Sequence, residues 1–211
     1  MTKSDVNNFD NFETTMRVTS VIQDRVNLVA GHMYKQYLEY QQSQNNTKDV
    51  FFKLLENVKN VMEYLKQSFV SRGISGQNIY YEIEQMKALV VMNILWHSIS
   101  IMAIANDKPQ ALHRENNPPV FSGRIIALNG KYSDILKKEN ENEMQALLEH
   151  EVASLYIPAE KGSSAIIKIR HLVNKEICIS QQEAAREFLL KVIEIICGGG
   201  LYHEESIKKT F

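Results

Sequence analysis

ALVVMNILWHSISIMAIA, residues Ala88 to Ala105, carries no charge and only four polar side chains, Asn93, His97, Ser98 and Ser100. As a helix at 1.5 Å per residue it reaches about 27 Å, close to the hydrocarbon thickness of a bilayer. A membrane span is argued against by Asn93 and His97 near its midpoint, and by the lack of a flanking basic cluster or paired aromatic belts. The stretch is therefore read as the core of a helix from about Asn78 to Asn106. Apolar on most of its circumference, such a helix is expected to be covered by neighbours on several sides.

Two further helices are expected before it. Asp10 and Glu13 are spaced as an N-cap and its reciprocal partner. Val18, Ile22, Val26, Val29, Met33, Tyr37 and Tyr40 then recur in steps of three and four, which makes one apolar stripe. Asn45-Asn46-Thr47 is expected to break that helix, with Thr47 as the next N-cap. Phe51, Leu54, Leu55, Val58, Met62, Leu65 and Phe69 form the stripe of the second helix, which ends near Gly73.

Beyond Asn106-Asp107-Lys108-Pro109 the periodicity changes. A loop runs to Pro118-Pro119, and Val120 to Leu128 is strand-like up to Asn129-Gly130, a strong hairpin signal with a weak partner in Lys131-Tyr132-Ser133. Lys137 to Glu149 is expected to be a solvated helix. Val152–Ile157, Ala165–Val173 and Glu176–Ile179 read as an antiparallel meander. Ser180 and Glu183 are spaced as a capping box for a last helix, whose apolar face is Ala184, Phe188, Leu189, Val192, Ile195 and Ile196 and whose end is Gly198-Gly199-Gly200.

The pattern predicts an α+β protein, predominantly helical: three long N-terminal helices, then a small antiparallel sheet with a C-terminal helix packed on it. The expected organisation is a three-helix subdomain over 1–107 and an α+β subdomain over 108–211, joined in one compact unit. Doubly wound cofactor folds are disfavoured because the strands cluster.

With 44% hydrophobic and 23% charged residues, the 211-residue chain has ordinary globular composition. A formal net charge of −1, evenly spread over both halves, argues against binding nucleic acid through phosphate neutralisation. The polar N-terminus has no signal-peptide pattern, so a cytoplasmic location is expected, with Cys178 and Cys197 as buried, reduced thiols.

Candidate chemistry is sparse. On a helix, Asn93, His97 and Ser100 stand at i, i+4 and i+7, a polar stripe that Glu82 and Asp107 approach. It fits a buried network or a pocket with His97 as base; it equally fits a water-facing edge or a satisfied core histidine. His150-Glu151 begins like a zinc-protease helix, but Ser154 stands where the second histidine belongs. His171 could approach His150 if their elements pair. The glutamates at 139, 141, 143, 149 and 151 lack the pattern of a calcium loop, and the glycines at 198–200 lack that of a phosphate loop. No metal or cofactor is expected.

Met33, Tyr34, Tyr37 and Tyr40, with Tyr80 and Tyr81, are either core or a surface for an amphipathic helix, since Met and Tyr are enriched at adaptable interfaces. The best reading is a non-enzymatic interaction protein: an adaptor, chaperone or assembly subunit whose partner is another protein. The alternative is a small enzyme with a histidine site, His97 or a His150/His171 pair, between the two halves. In length, near-neutral charge, an Asn/Gln/Lys/Ile/Tyr bias and helices followed by a small sheet, the chain resembles the small cytoplasmic adaptor subunits of bacterial type IVB (Dot/Icm) coupling complexes, the LvgA type. That resemblance implies binding to a helical tail of a coupling ATPase and to secreted effectors. No motif carries it, and it transfers no residue.

Overall fold

The computed structural model describes residues 3–111, 119–138, 143–160, 162–170 and 176–198, with side chains from Val21 on, those of 138, 143 and 144 excepted. The chain divides into two units, Met1–Gln41 and Gln42–Phe211, and the division falls within the first helix. The expected boundary at 107/108 falls inside a strand instead.

A single helix, α1 (Lys3–Val70), takes the place of the first two expected helices. Asn45-Asn46-Thr47 does not interrupt it: the Asn46 side chain is bonded across to the sheet, and the Thr47 hydroxyl bonds back to the carbonyl one turn earlier, so neither caps a new helix. Asn46 Nδ2 donates to Ser122 Oγ at 3.1 Å and to the Ala159 carbonyl at 3.0 Å, and Thr47 Oγ1 donates back to the Ser43 carbonyl at 2.9 Å.

The third expected helix is not a helix. Asn78–Asn106 instead supplies β1 (Ile79–Glu84), β2 (Leu89–Ile94) and most of β3 (His97–Ala111). The stretch Ala88–Ala105 is a hairpin in which Ile94 pairs with His97, Val91 with Ser100 and Leu89 with Met102. A strand buried on both faces loses its period-two alternation and reads as a continuous apolar run. The β-branched content of that run, Val90, Val91, Ile94, Ile99, Ile101 and Ile104, suits an extended backbone. Its turn, Leu95-Trp96, carries no Gly, Asn or Asp, and Leu95 takes the left-handed conformation itself with φ 57°.

After β4 (Val120–Asn129), the expected Asn129-Gly130 hairpin is replaced by α2 (Tyr132–Lys138), followed by α3 (Glu143–His150). Gly130 has φ +127° and starts this turn, but the chain enters a helix rather than a return strand. The last part agrees with expectation in its elements, β5 (Glu151–Pro158), β6 (Ala165–Ile169), β7 (Glu176–Ile179) and α4 (Ala184–Cys197), but the Ser180–Glu183 capping box is not formed: Glu183 itself is the N-cap, and Ser180 Oγ donates to its carboxylate. Residues 171–173 of the expected second strand and Gly199-Gly200 lie outside the described residues.

Among the described residues seven strands form one antiparallel meander in the order β1-β2-β3-β4-β5-β6-β7, so the sheet is neither small nor confined to the C-terminal half. The expected three long N-terminal helices and small sheet are thereby corrected: the α+β protein has one long helix and one large sheet. One face of the sheet packs under α1 and α4. Leu54 and Val58 of α1, Val90, Ile99, Ile125, Leu155 and Ile167 of the strands, and Phe188 and Val192 of α4 share that core. Leu89, Val91, Ile126 and Leu128 point to the other face, where Tyr132 and Ile135 of α2 and Ala146 and Leu147 of α3 cover them. Each large side chain so buried contributes about 1.5–3 kcal/mol relative to exposure.

Candidate functional site

The residues from Val21 to Gln41 of α1 form no core of their own. Every side chain from Val21 to Tyr40 is exposed except that of Glu39. Within this run Ile22, Val26, Val29, Met33, Tyr37 and Tyr40, spaced 4, 3, 4, 4 and 3, are between 42% and 63% exposed. On a helix those steps make one face, about 27 Å long from residue 22 to residue 40. Single exposed apolar side chains are ordinary on a protein surface; a continuous row of them is not. Tyr34 and Leu38 extend the apolar surface beyond that row, at 64% and 45% exposure. Gln41 Nε2 donates to Tyr37 Oη at 2.6 Å, and His32 and Gln36 are hydrogen-bonded one turn apart at 3.1 Å, so polar side chains order the segment without covering its apolar face.

The expected polar stripe on a buried helix does not exist as a stripe. On a strand, positions 97 and 100 differ by an odd number and so face opposite sides of the sheet. Asn93 and Ser98 pair across the hairpin, and Ser98 Oγ donates to Asn93 Oδ1 at 2.8 Å; Asn93 Nδ2 is buried and has no hydrogen-bond partner among the described residues. Ser100 is fully buried and serves structure: its hydroxyl donates to the Gly130 carbonyl at 2.8 Å and accepts the Tyr132 N–H at 2.8 Å. It thereby satisfies one of the free amides that begin α2. His97 sits beside the turn with its ring 5.5 Å from that of Trp96, which is 81% exposed.

His150 ends α3, where its Nδ1–H donates to the Asn129 carbonyl at 3.3 Å. Its expected companion His171 lies outside the described residues, as do Glu139 and Glu141. Among the described residues no group of three or more His, Cys, Asp or Glu is placed to hold a metal ion. Glu151 is instead a structural carboxylate: it accepts from Ser154 Oγ and lies 3.7 Å from Arg124, with 13% of its side chain exposed.

Two surface grooves flank α1 in the larger unit. One, about 470 Å³, lies between α1 and β1; the other, about 440 Å³, lies between α1 and the Gly162 and Ser180–Gln182 loops. Neither is lined by Asn93, His97, Ser100 or His150. Tyr80 and Tyr81 line the first, a placement that follows from β1 being a strand and that helical spacing does not reveal.

The cysteines part from expectation. Cys178, on β7, is exposed rather than buried, while Cys197 near the end of α4 is half-buried, and that burial pushes its thiol above the ordinary value. No helix among the described residues is long and apolar enough to cross a membrane. No protein-family model matches the chain, and no curated protein or solved structure matches it.

Proposed function

We propose that this protein is a non-enzymatic interaction module that docks a partner protein along the apolar face of α1 between Val21 and Gln41. The observation that carries the reading is the unbroken exposed row from Ile22 to Tyr40. Its steps of three and four suit the ridges and grooves of an amphipathic partner helix. Three tyrosines within seven residues, Tyr34, Tyr37 and Tyr40, supply the rigid aromatic anchors that dominate such contacts. An adaptor or assembly subunit needs no more than this. The resemblance to type IVB coupling adaptors loses one of its supports, since helices followed by a small sheet are not what the chain forms; the reading as an interaction module does not depend on it. An enzyme built on His97 gains no geometric support, because His97 stands beside an exposed turn and lines neither groove.

The test is affinity purification of the tagged protein from its source, alongside a Tyr37→Ser/Tyr40→Ser variant. Both should fold equally by circular dichroism, and the variant should lose the partner that the parent retains. A variant that retains every partner places the interface elsewhere.

A further inference from the structure

A second surface, independent of the exposed face of Val21–Gln41, lies at the β1 edge of the sheet. The Leu95 N–H donates to the Asn78 carbonyl at 2.9 Å, which fixes the phase of the β1–β2 ladder. In an antiparallel pair the hydrogen-bonded positions alternate, so Tyr80, Glu82 and Glu84 direct their backbone groups to β2. Tyr81 and Ile83 direct theirs away from the sheet. Among the described residues, those outward N–H and C=O groups have no hydrogen-bond partner. An open edge of this kind is a template for one more strand.

The groove of about 470 Å³ runs beside that edge. Its floor is apolar, with Met62 and Ile79 each 3% exposed. Its α1 wall presents Lys59, Glu63 and Lys66. Glu63 accepts a hydrogen bond from Gln67 at 3.0 Å, whereas neither lysine is in an ion pair among the described residues. The Lys66 stem lies against Gly76, where a Cβ would come within 2.7 Å of its Cγ, so glycine makes room for it there. On the opposite face of β1, Glu82 and Glu84 already face Lys131 and Lys87 at 3.9 and 3.0 Å. The Gln67 hydrogen bond leaves Glu63 charged, so Lys59, Glu63 and Lys66 together give the α1 side of this edge a net charge of +1.

We propose that the β1 edge and its groove bind an extended peptide segment of a partner protein, with acidic side chains at alternate positions. The segment pairs with the outward groups of Tyr81 and Ile83 as an eighth strand. Its side chains facing α1 then meet Lys59 and Lys66. These lysines are seven residues apart, about 10.5 Å along the helix, and side chains on one face of a strand repeat every 6.6 Å or so. Carboxylates two or four residues apart in the segment span that distance within the reach of the lysine stems.

The experiment titrates the full chain with a fluorescent Thr/Val decapeptide carrying Glu at alternate positions. Three comparison peptides carry Lys in place of Glu, a scrambled charge order, or N-methylation on the backbone groups of every second residue. The Glu peptide should bind saturably and the other three at least ten-fold more weakly. Lys59→Glu/Lys66→Glu should reduce binding of the Glu peptide at least ten-fold. Ile83→Pro should do the same, because proline at an outward-facing edge position removes a donor that the sheet does not use. Tyr37→Ser/Tyr40→Ser should leave peptide binding unchanged, which separates this site from the α1 face. Equal affinity for the Lys peptide, indifference to N-methylation, or no binding of the Glu peptide overturns the proposal. So does a concentration-dependent dimer dispersed by Ile83→Pro, which would mean that a second copy occupies the edge.

Discussion

Thr47 and Gly123 meet where α1 crosses β4: a Cβ built on residue 123 would stand 2.5 Å from Thr47 Oγ1, and also 2.5 Å from the Ile104 carbonyl oxygen. The crossing is lined on the helix side by Ser43, Asn46 and Thr47, all buried, and Asn46 bonds to Ser122 beside the glycine. Small polar residues at one point of an otherwise apolar helix face let helix and sheet approach closely. Asn46 and Thr47, two of the three residues that seem to end a helix in the sequence, help to seat it.

Gly123→Ala should therefore destabilise the protein by about 1–3 kcal/mol, the range of forced overpacking in a core. Adding Thr47→Ala should recover little, because the Ile104 carbonyl still obstructs the new methyl group. Urea denaturation of the single and double variants measures both.

Ser100→Ala removes one hydroxyl that serves two backbone groups, the Tyr132 N–H and the Gly130 carbonyl. Leaving such groups unsatisfied costs about 1–3 kcal/mol. Thermal melting should show this loss, and amide exchange should show it as faster opening of α2 in particular. Unchanged exchange at Tyr132 would remove Ser100 from that role.

Leu95→Gly separates hairpin from helix. In the turn it relieves about 1–2 kcal/mol of left-handed strain and gives up a half-buried side chain of similar worth, so stability should change by no more than about 1 kcal/mol. In a buried helix it would cost about 3 kcal/mol or more. Leu95→Asp should likewise fold, since Asp accepts this conformation more readily than most residues.

What the chain discloses without its structure depends on whether one face of an element is wet. The face of α4 is legible because Phe188, Leu189, Val192 and Ile196 are buried while Arg186, Leu190 and Glu194 are exposed. β5 to β7 are legible through short β-rich runs between turn residues. Ala88–Ala105 is not, because both faces of β2 are covered and its turn uses Leu95-Trp96 instead of a turn-forming pair. Asn129-Gly130 misleads for the opposite reason: a strong turn signal is used to enter a helix. Of the candidate site, the spacing from Ile22 to Tyr40 was readable, but not that the face is exposed. The β1 edge was hidden altogether by the helical reading.

The two thiols should react at different rates. Cys178 is exposed and should take up a thiol reagent in the native state. Burial raises the Cys197 pKa, so less of it is thiolate at a given pH; it should lag at neutral pH, with its labelling rising as pH is raised or denaturant added. Mass spectrometry of the time course identifies which cysteine is modified first.

If one apolar face of α1 is free for a partner while another builds the fold, two methionines of α1 must differ in what they contribute to stability. Met33 is 63% exposed and Met62 is 3% exposed. Urea unfolding of Met33→Lys and Met62→Lys compares them directly. Met33→Lys should leave stability within about 0.5 kcal/mol of the parent, as surface changes do, and Met62→Lys should lose several kcal/mol or fail to fold. If Met33→Lys destabilises the isolated protein as severely as Met62→Lys does, the face from Ile22 to Tyr40 belongs to the fold and the docking account is wrong.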